Sequence, residues 1–403
     1  MTVFIGHTRF SVLDPSSPNW QITQSGRFKD IDEYREYLFS PERLELRTDI
    51  FLNYSLPELS KAAEKHRIVH IISYSDLLPD PWKSKLEKAI ENYDFLIGDL
   101  RRSGGAILDP HMVAEEALGG NGIYGLYRLD DDDILSSTFF SNSAKYLKEE
   151  FAGMQVSFSD GYTGFWQNNF IRNVRKVHWP MLAIGFMNIC SIKEGKIVSQ
   201  PRPAPHHIAD RTNAVIIDPR HPSYLWLRHE DQDTANKFSS SQIRQEIFRD
   251  MEKYKPVAVD FSFDPVFPAI AKSISMHRQY SLMSEELVLV SPSEFLLPKE
   301  MNWFELIVEL DCGKGIKQHN ALISFTIRDS DGDLVTEPIE GVPFSNDPKI
   351  KHYRYLKTEL GESISNVEIQ LPEGLTCNEL RVQRFLNVES EIRVKNAKVR
   401  ELT

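Results

Sequence analysis

Hydrophobic positions in the first two-thirds of the chain alternate between two rhythms: short apolar runs of strand length, and stretches whose apolar residues recur at helical spacing. Thr2 to Val12 reads as a strand, followed by a polar loop rich in Ser, Pro and Asn. Residues from about Pro41 to Lys65 carry helical spacing, and Ile68 to Ser73 (IVHIIS) is a short buried strand. Trp82 to Tyr93 predicts a helix with Leu86, Ala89 and Ile90 on one face. Phe95 to Ile97 predicts a strand, His111 to Leu118 a helix, and Gly122 to Leu129 (GIYGLYRL) another strand. Ser136 or Ser137 can cap the next helix, to about Glu150. This β-then-α order predicts an α/β sheet with crossover helices.

Between about Met154 and Ala235 the regularity weakens. Strands are expected at Gln155–Phe158, Met181–Ile189 and Ala214–Ile217, separated by long loops of the kind that form lids or acceptor loops. Helices are expected at about Ser240 to Lys253 and Asp264 to Tyr280. From about Leu287 the pattern changes to short alternating runs (FELIVEL, ALISFTI, HYRYLKT, VEIQL, ELRVQRFL) with turn residues between them. Consecutive strands without helices predict a β-sandwich of jelly-roll type. The expected division is residues 1–285 for the α/β domain and 286–403 for the sandwich.

Length and composition fit that division, since 403 residues exceed one comfortable core. A net charge of −11 argues against a broad nucleic-acid-binding face but leaves room for a small anion held through a metal. Cys190, Cys312 and Cys377 are too far apart for a CxxC zinc site or a disulfide framework. Apolar runs fall short of the roughly 18 residues that cross a bilayer, and the first segment lacks the pattern of a signal peptide. The expectation is a cytoplasmic protein, with peripheral association at the inner membrane face and homo-oligomer formation left open.

The chemistry concentrates where GIYGLYRL runs into Asp130-Asp131-Asp132-Asp133. Adjacent carboxylates raise one another's pKa unless solvated or neutralised, and the carboxyl end of a buried strand is where open α/β sheets place ligands. A continued extended conformation would put Asp130 and Asp132 on one side, where they could share Mg²⁺ or Mn²⁺ with phosphate oxygens. A solvated acidic turn is the competing reading. A second cluster, His229-Glu230-Asp231-Gln232-Asp233-Thr234, follows another apolar run. His229 could complete the metal shell, and Glu230, Asp231 or Asp233 could serve as general base; a polar helix start is the bland alternative.

Arg9, with His7, ends the first strand, and Ser73 and Asp76 follow the second, so these could meet a donor nucleotide or form ordinary turns and surface pairs. Asp160-Gly161-Tyr162 is a turn or an acceptor contact, and His206-His207 reads as a solvated pair. Trp303, Tyr353, Tyr355 and Phe385 could make a sugar-stacking face or fill the sandwich core. A metal-dependent phosphoesterase using the same carboxylates, and a non-catalytic carbohydrate-binding protein, are the rival functions.

Arg9-Phe10-Ser11, Glu36-Tyr37-Leu38-Phe39 with Arg43-Leu44 and Arg47, Arg128-Leu129 with the four aspartates, and His229 with Asp231 and Asp233 together resemble the rhamnosyltransferase family of bacterial glycosyltransferases. The resemblance covers roughly residues 1 to 280, and RLDDDD is its most specific part. It implies a GT-A-like fold, with a DxD motif binding a divalent ion and the diphosphate of a nucleotide-sugar donor, and a saccharide or glycolipid acceptor. By that resemblance Asp130 and Asp132 are the DxD pair, with Asp132 in direct contact with the metal; the candidate sets are then Asp132, Asp130 and His229 for the metal, Arg9, Ser73, Asp76, Arg128, Asp130 and Asp131 for the donor, and Asp231, Asp233 and Glu230 for the base. The family pattern has glycine where this chain has Glu230, a departure at the second cluster.

Overall fold

A computed structural model describes residues 2–13, 28, 30–102, 108–167, 170–231, 240–257, 262–274, 279–386 and 389–402. The chain divides into two compact units, Met1–Ala235 with Tyr254–Ser275, and Asn236–Lys253 with Met276–Thr403.

Among the described residues the first unit contains strands β1 (Thr2–Phe10), β2 (Ile68–Ser75), β3 (Leu96–Arg101), β4 (Gly122–Arg128), β5 (Asp133–Leu135), β6 (Gln155–Phe158), β7 (Asp160–Gln167), β8 (Phe170–His178), β9 (Met187–Lys193), β10 (Lys196–Ser199), β11 (Val215–Asp218), β12 (Tyr224–Arg228) and β13 (Lys255–Pro256). The main sheet runs β11-β6-β9-β4-β1-β2-β3, with β10 on β9. Strands β3, β2, β1 and β4 are mutually parallel, and β9 lies antiparallel between β4 and β6.

Helices cover both faces, so the central strands read as near-continuous apolar runs. Helices α1 (Ile31–Leu38), α2 (Pro41–Ile50), α3 (Leu56–Ala63), α4 (Trp82–Asn92), α5 (Pro110–Leu118) and α6 (Ser137–Ala144) belong to this unit. Leu44 of α2, Leu59 of α3, Leu86 of α4 and Phe139 of α6 join Phe4 and Ile72 in one core. Val113 and Ala114 of α5 join Val3, Ile5 and Ile71 in another. Helix α5 begins with Asp109 accepting from the His111 N–H at 2.9 Å and stops at the left-handed Gly119. Ser136 caps α6 by accepting from Phe139 N at 3.0 Å, as its position predicts. Gly6 is required in β1 because a Cβ there would come within 2.1 Å of His70 Nδ1 and 2.4 Å of the Tyr127 ring.

Three expectations need correction. The helix after Ser136 ends at Ala144, with a separate turn at Glu149–Phe151. Among the described residues of 264–280 there are turns, a 3-10 turn at Ala271–Ser273 and a strand at Gln279–Ser281, not one helix; residues 275–278 lie outside the described set. The stretch from 154 to 235, where three strands separated by long loops are expected, also supplies most of a second sheet, β13-β8-β7-β12-β5. The chain passes into it from the main sheet three times: from β4 to β5, from β6 to β7 through Ser159, and from β11 to β12.

The second unit contains α7 (Ser240–Met251) and strands β14 (Gln279–Ser281), β15 (Leu287–Val288), β16 (Ser293–Met301), β17 (Trp303–Cys312), β18 (Ala321–Arg328), β19 (His352–Leu356), β20 (Gly361–Gln370), β21 (Thr376–Arg384) and β22 (Ile392–Glu401). They form two sheets, β14-β22-β17-β20 with β15 on β22, and β16-β21-β18-β19, every pairing antiparallel. One core takes Leu306 and Val394 from the first sheet and Ile323 and Val382 from the second. The order of the two parts is the expected one, an α/β sheet with crossover helices followed by antiparallel β structure.

Candidate active site

Strand order in the main sheet reverses at β1, because β2 and β3 are laid down on one side and β4 on the other. Ligands of open α/β sheets bind at the strand carboxyl ends beside such a reversal. Register sets His7 of β1 level with Arg128 of β4, Arg9 with Ser73 of β2, and Ser73 with Asp99 of β3. Ser73 Oγ donates to Asp99 Oδ2 at 2.6 Å and lies 2.8 Å from His7 Nε2. Its proton being committed to Asp99, the serine accepts from His7, which fixes the Nε2–H tautomer. Arg101 Nε pairs with the same Asp99 oxygen at 2.5 Å.

Two histidines in β1 and β2 are kept neutral. Burial, aided by the charges of Arg9 and Arg101, lowers the His7 imidazole from 6.5 to about 4. Burial lowers His70, which bonds Thr8 Oγ1 and Tyr127 Oη at 2.9 Å each, to about 3. A depressed basic pKa means the unfolded chain binds the proton first, so this stability is present above pH 6.5 and lost as pH falls through about 4. Urea titrations at pH 7 and pH 4.5 should show a smaller loss of midpoint in His7→Gln than in the wild type. Equal losses would dismiss His7 as a contributor.

The four aspartates do not continue as a strand. The Asp133 N–H donates to the Asp130 carbonyl at 3.3 Å, so the run is a turn and its carboxylates do not alternate by face. This corrects the expected extended geometry; the turn is imposed because β4 and β5 belong to different sheets. Asp130 points to the half-exposed Arg128, whose Nε and Nη2 donate at 2.9 and 3.0 Å. Asp131 is buried against Arg47. Asp132 Oδ2 receives Arg47 Nη2 at 3.0 Å and lies 3.1 Å from His229 Nε2. Burial opposes the charge on Asp132, yet Arg47 and then His229 hold its carboxyl well below the ordinary range. Asp133 is pushed well above its ordinary value by burial and by the charges of Asp132 and Asp130.

His229 reaches the turn because β12 pairs antiparallel with β5, Trp226 opposite Asp133. The next residues of β12 therefore run back along the turn, and His229 arrives 1% exposed beside Asp132. On the other side, α2 presents Arg43 and Arg47 four residues apart on one face. Arg43 Nη1 donates to Ser11 Oγ at 2.9 Å, just beyond β1. The helix then passes through a π turn at Phe51–Ser55, a feature common near functional sites.

Of the candidate donor residues, Arg9, Ser73 and Arg128 stand at adjacent strand ends, and Asp130 and Asp131 follow β4 directly. Asp76 lies in the turn after β2, its N–H donating to Arg101 O at 2.9 Å. Glu230 and Asp231 form the turn after His229, and Asp233 lies outside the described residues. Sequence reasoning assigned no role to Arg47, Arg43, Asp99 or Arg101. The last two had a signal, charged residues two apart at the end of LIGDLR. Arg43 and Arg47 stood among the residues of the family resemblance, without a role of their own.

The residues around Asp132 suit a divalent ion in part. Asp131, Asp132 and Asp133 outnumber Arg47, the arginine that pairs with two of them. Among the described residues no group of three or more His, Cys, Asp and Glu converges as a ready metal shell. Mg²⁺ and Mn²⁺ do not require one, since water and substrate phosphate complete their coordination.

A family described as "Putative rhamnosyl transferase" matches residues 3–241, more than half of the chain. The chain belongs to this family. The matched segment contains both the acidic turn and the His229 turn. No curated protein matches the chain. Among solved structures, a fragment of S. aureus TarS (residues 1–349, in complex with UDP-GlcNAc) is 12% identical with a TM-score of 0.30, covering 63% of this chain and 66% of that one. The chain thus spans just under two thirds of that fragment. Another S. aureus TarS structure is 12% identical, TM-score 0.25, over 96% of this chain and 77% of that one. A nucleotide-diphospho-sugar transferase from Desulfovibrio desulfuricans is 9% identical, TM-score 0.22, over 63% and 98%. At these scores the family match alone carries the assignment. Among the described residues no helix is long and apolar enough to cross a membrane.

Proposed function

We propose that this rhamnosyltransferase-family member moves a hexose or deoxyhexose from a nucleotide-diphosphate donor to a saccharide or glycolipid acceptor in bacterial surface-polysaccharide assembly. The observation that carries the reading is the convergence of Arg47 and His229 on Asp132, beside the strand ends where the main sheet reverses. His7, Arg9, Ser73, Asp99 and Arg101 form the base and ribose end, with Asp76 at its margin. Arg128, Asp130 and Asp131 make up the diphosphate end.

Asp132 would be the main protein ligand of Mn²⁺ or Mg²⁺, with His229 adjacent and Asp130 reaching it only by leaving Arg128, and the bound ion would offset charge on the departing diphosphate. Arg47 neutralises Asp131 and, with His229, holds Asp132 in place. Asp231, one turn past His229, takes the proton from the acceptor hydroxyl, with Glu230 and Asp233 as the neighbouring carboxylates.

A panel of nucleotide sugars incubated with Mn²⁺ or Mg²⁺ and oligosaccharide acceptors tests this. Release of nucleoside diphosphate with a glycosylated product, abolished by EDTA, is expected. Hydrolysis of simple phosphate esters without sugar transfer would favour a phosphoesterase instead.

A further inference from the structure

The second unit carries an aromatic surface that the transfer reaction does not use. Tyr353 and Tyr355 lie on β19, the edge strand of the sheet β16-β21-β18-β19. Register sets Tyr355 opposite Leu322, which is in turn opposite Gln383, and Tyr353 opposite Ser324, in turn opposite Arg381. Directly opposed residues share a face. The other face of these strands supplies Ile323, Phe325, Leu380 and Val382 to the core. The two tyrosines therefore stand on the face turned away from it.

Tyr355 is 37% exposed and Phe385, just past β21, is 44% exposed. Their ring centroids are 5.1 Å apart, Tyr353 lies 5.2 Å from Tyr355, and the His319 ring lies 5.1 Å on another side. Leu322, on the same face, is fully buried, so the rings lie over an apolar floor. His319 adopts φ +60°, a left-handed conformation that costs energy in a non-glycine residue.

We propose that this cluster is a binding platform for a neutral saccharide chain. The axial C–H face of a pyranose is apolar and carries slight positive charge, which suits the negative face of an aromatic ring. Gln383 and the tyrosine hydroxyls border the rings with groups that can bond sugar hydroxyls. Neighbouring charges are mutually paired, Arg381 with Glu294 at 2.8 Å and Lys357 with Glu359 at 2.9 Å, so the surface matches an uncharged ligand better than a phosphate or an acidic peptide. Size argues against a second copy of the chain. The exposed parts of three rings amount to roughly 200 Å², whereas a stable dimer buries about 800 Å² per partner.

The test reads binding without nucleotide, so it stands apart from the donor-site reading. The whole chain is run by affinity electrophoresis in gels containing dextran, mannan or a rhamnan, beside a Tyr355→Ala, Phe385→Ala double variant and Tyr355→Phe. Retardation of the wild type by at least one polymer is expected, weakened at least tenfold in the double variant and retained in Tyr355→Phe. Donor turnover of the double variant should match the wild type, because neither side chain belongs to the donor site, and Tyr355→Phe keeps the packing of the ring. Absence of retardation by all three polymers, or equal retardation of the double variant, overturns the proposal. So does a wild-type dimer, seen by sedimentation, that the double variant converts to monomer.

Discussion

Asp132→Asn should lower sugar transfer by about two to three orders of magnitude, the usual cost of losing one group that stabilises charge developing at the reacting centre. The substitution keeps the shape of the side chain. It leaves Arg47 its pairing with Asp131 and gives His229 an amide in place of a carboxylate. The fold should therefore persist, and the loss should fall on catalysis and cation dependence. The measurement is initial rate against Mn²⁺ concentration, with thermal stability as control: nucleotide and Mn²⁺ together should raise the wild-type melting temperature by mass action and raise that of the variant less. Wild-type rates in Asp132→Asn would remove the acidic turn from the mechanism.

Arg47→Met is expected to act on stability first. Its guanidinium is almost completely buried and pairs with both Asp131 and Asp132, with the buried Asp133 next in sequence. Deleting one partner of a buried ion cluster leaves uncompensated charge and costs about 3–5 kcal/mol. Methionine fills most of the aliphatic volume, so the loss is mainly electrostatic. Equilibrium unfolding in urea at pH 7 should show it as a lower midpoint at unchanged slope. Partial recovery at pH 5, where the excess carboxylates protonate more readily, would identify the charge as the cause. A midpoint equal to the wild type at pH 7 would refute it. Arg47→Lys should not rescue fully, since a point charge cannot address two carboxylates in the manner of a planar fork.

Much of the fold could be read because β1, β2 and β4 are covered on both faces and appear as plain apolar runs. The antiparallel unit was equally open, its strands being short, alternating and divided by turn residues. What escaped was the second sheet. Its strands β5, β7 and β12 come from stretches separated by long connections, and their pairing is a tertiary fact that no local window contains. The same non-local pairing hid the site's assembly: Asp132 and His229 are 97 residues apart. Arg47 was obscure for a different reason. Arginine on a helix normally marks the solvent side, and only the turn that packs against it reveals this one as interior. Trp303 is buried while Tyr355 and Phe385 are exposed, a distinction that residue type alone could not make.

The passage from β4 to β5 fixes how many residues the acidic turn can contain. Ile134 is buried in one cluster, with Tyr162 and Leu225, and Leu135 in another, with Phe139 and Tyr224. Adding or removing one residue between Leu129 and Asp133 would exchange those two side chains between cores and break the pairing of Trp226 with Asp133. The run is thus a measured spacer between two sheets, and the number of aspartates is constrained by packing independently of how many of them any ligand touches.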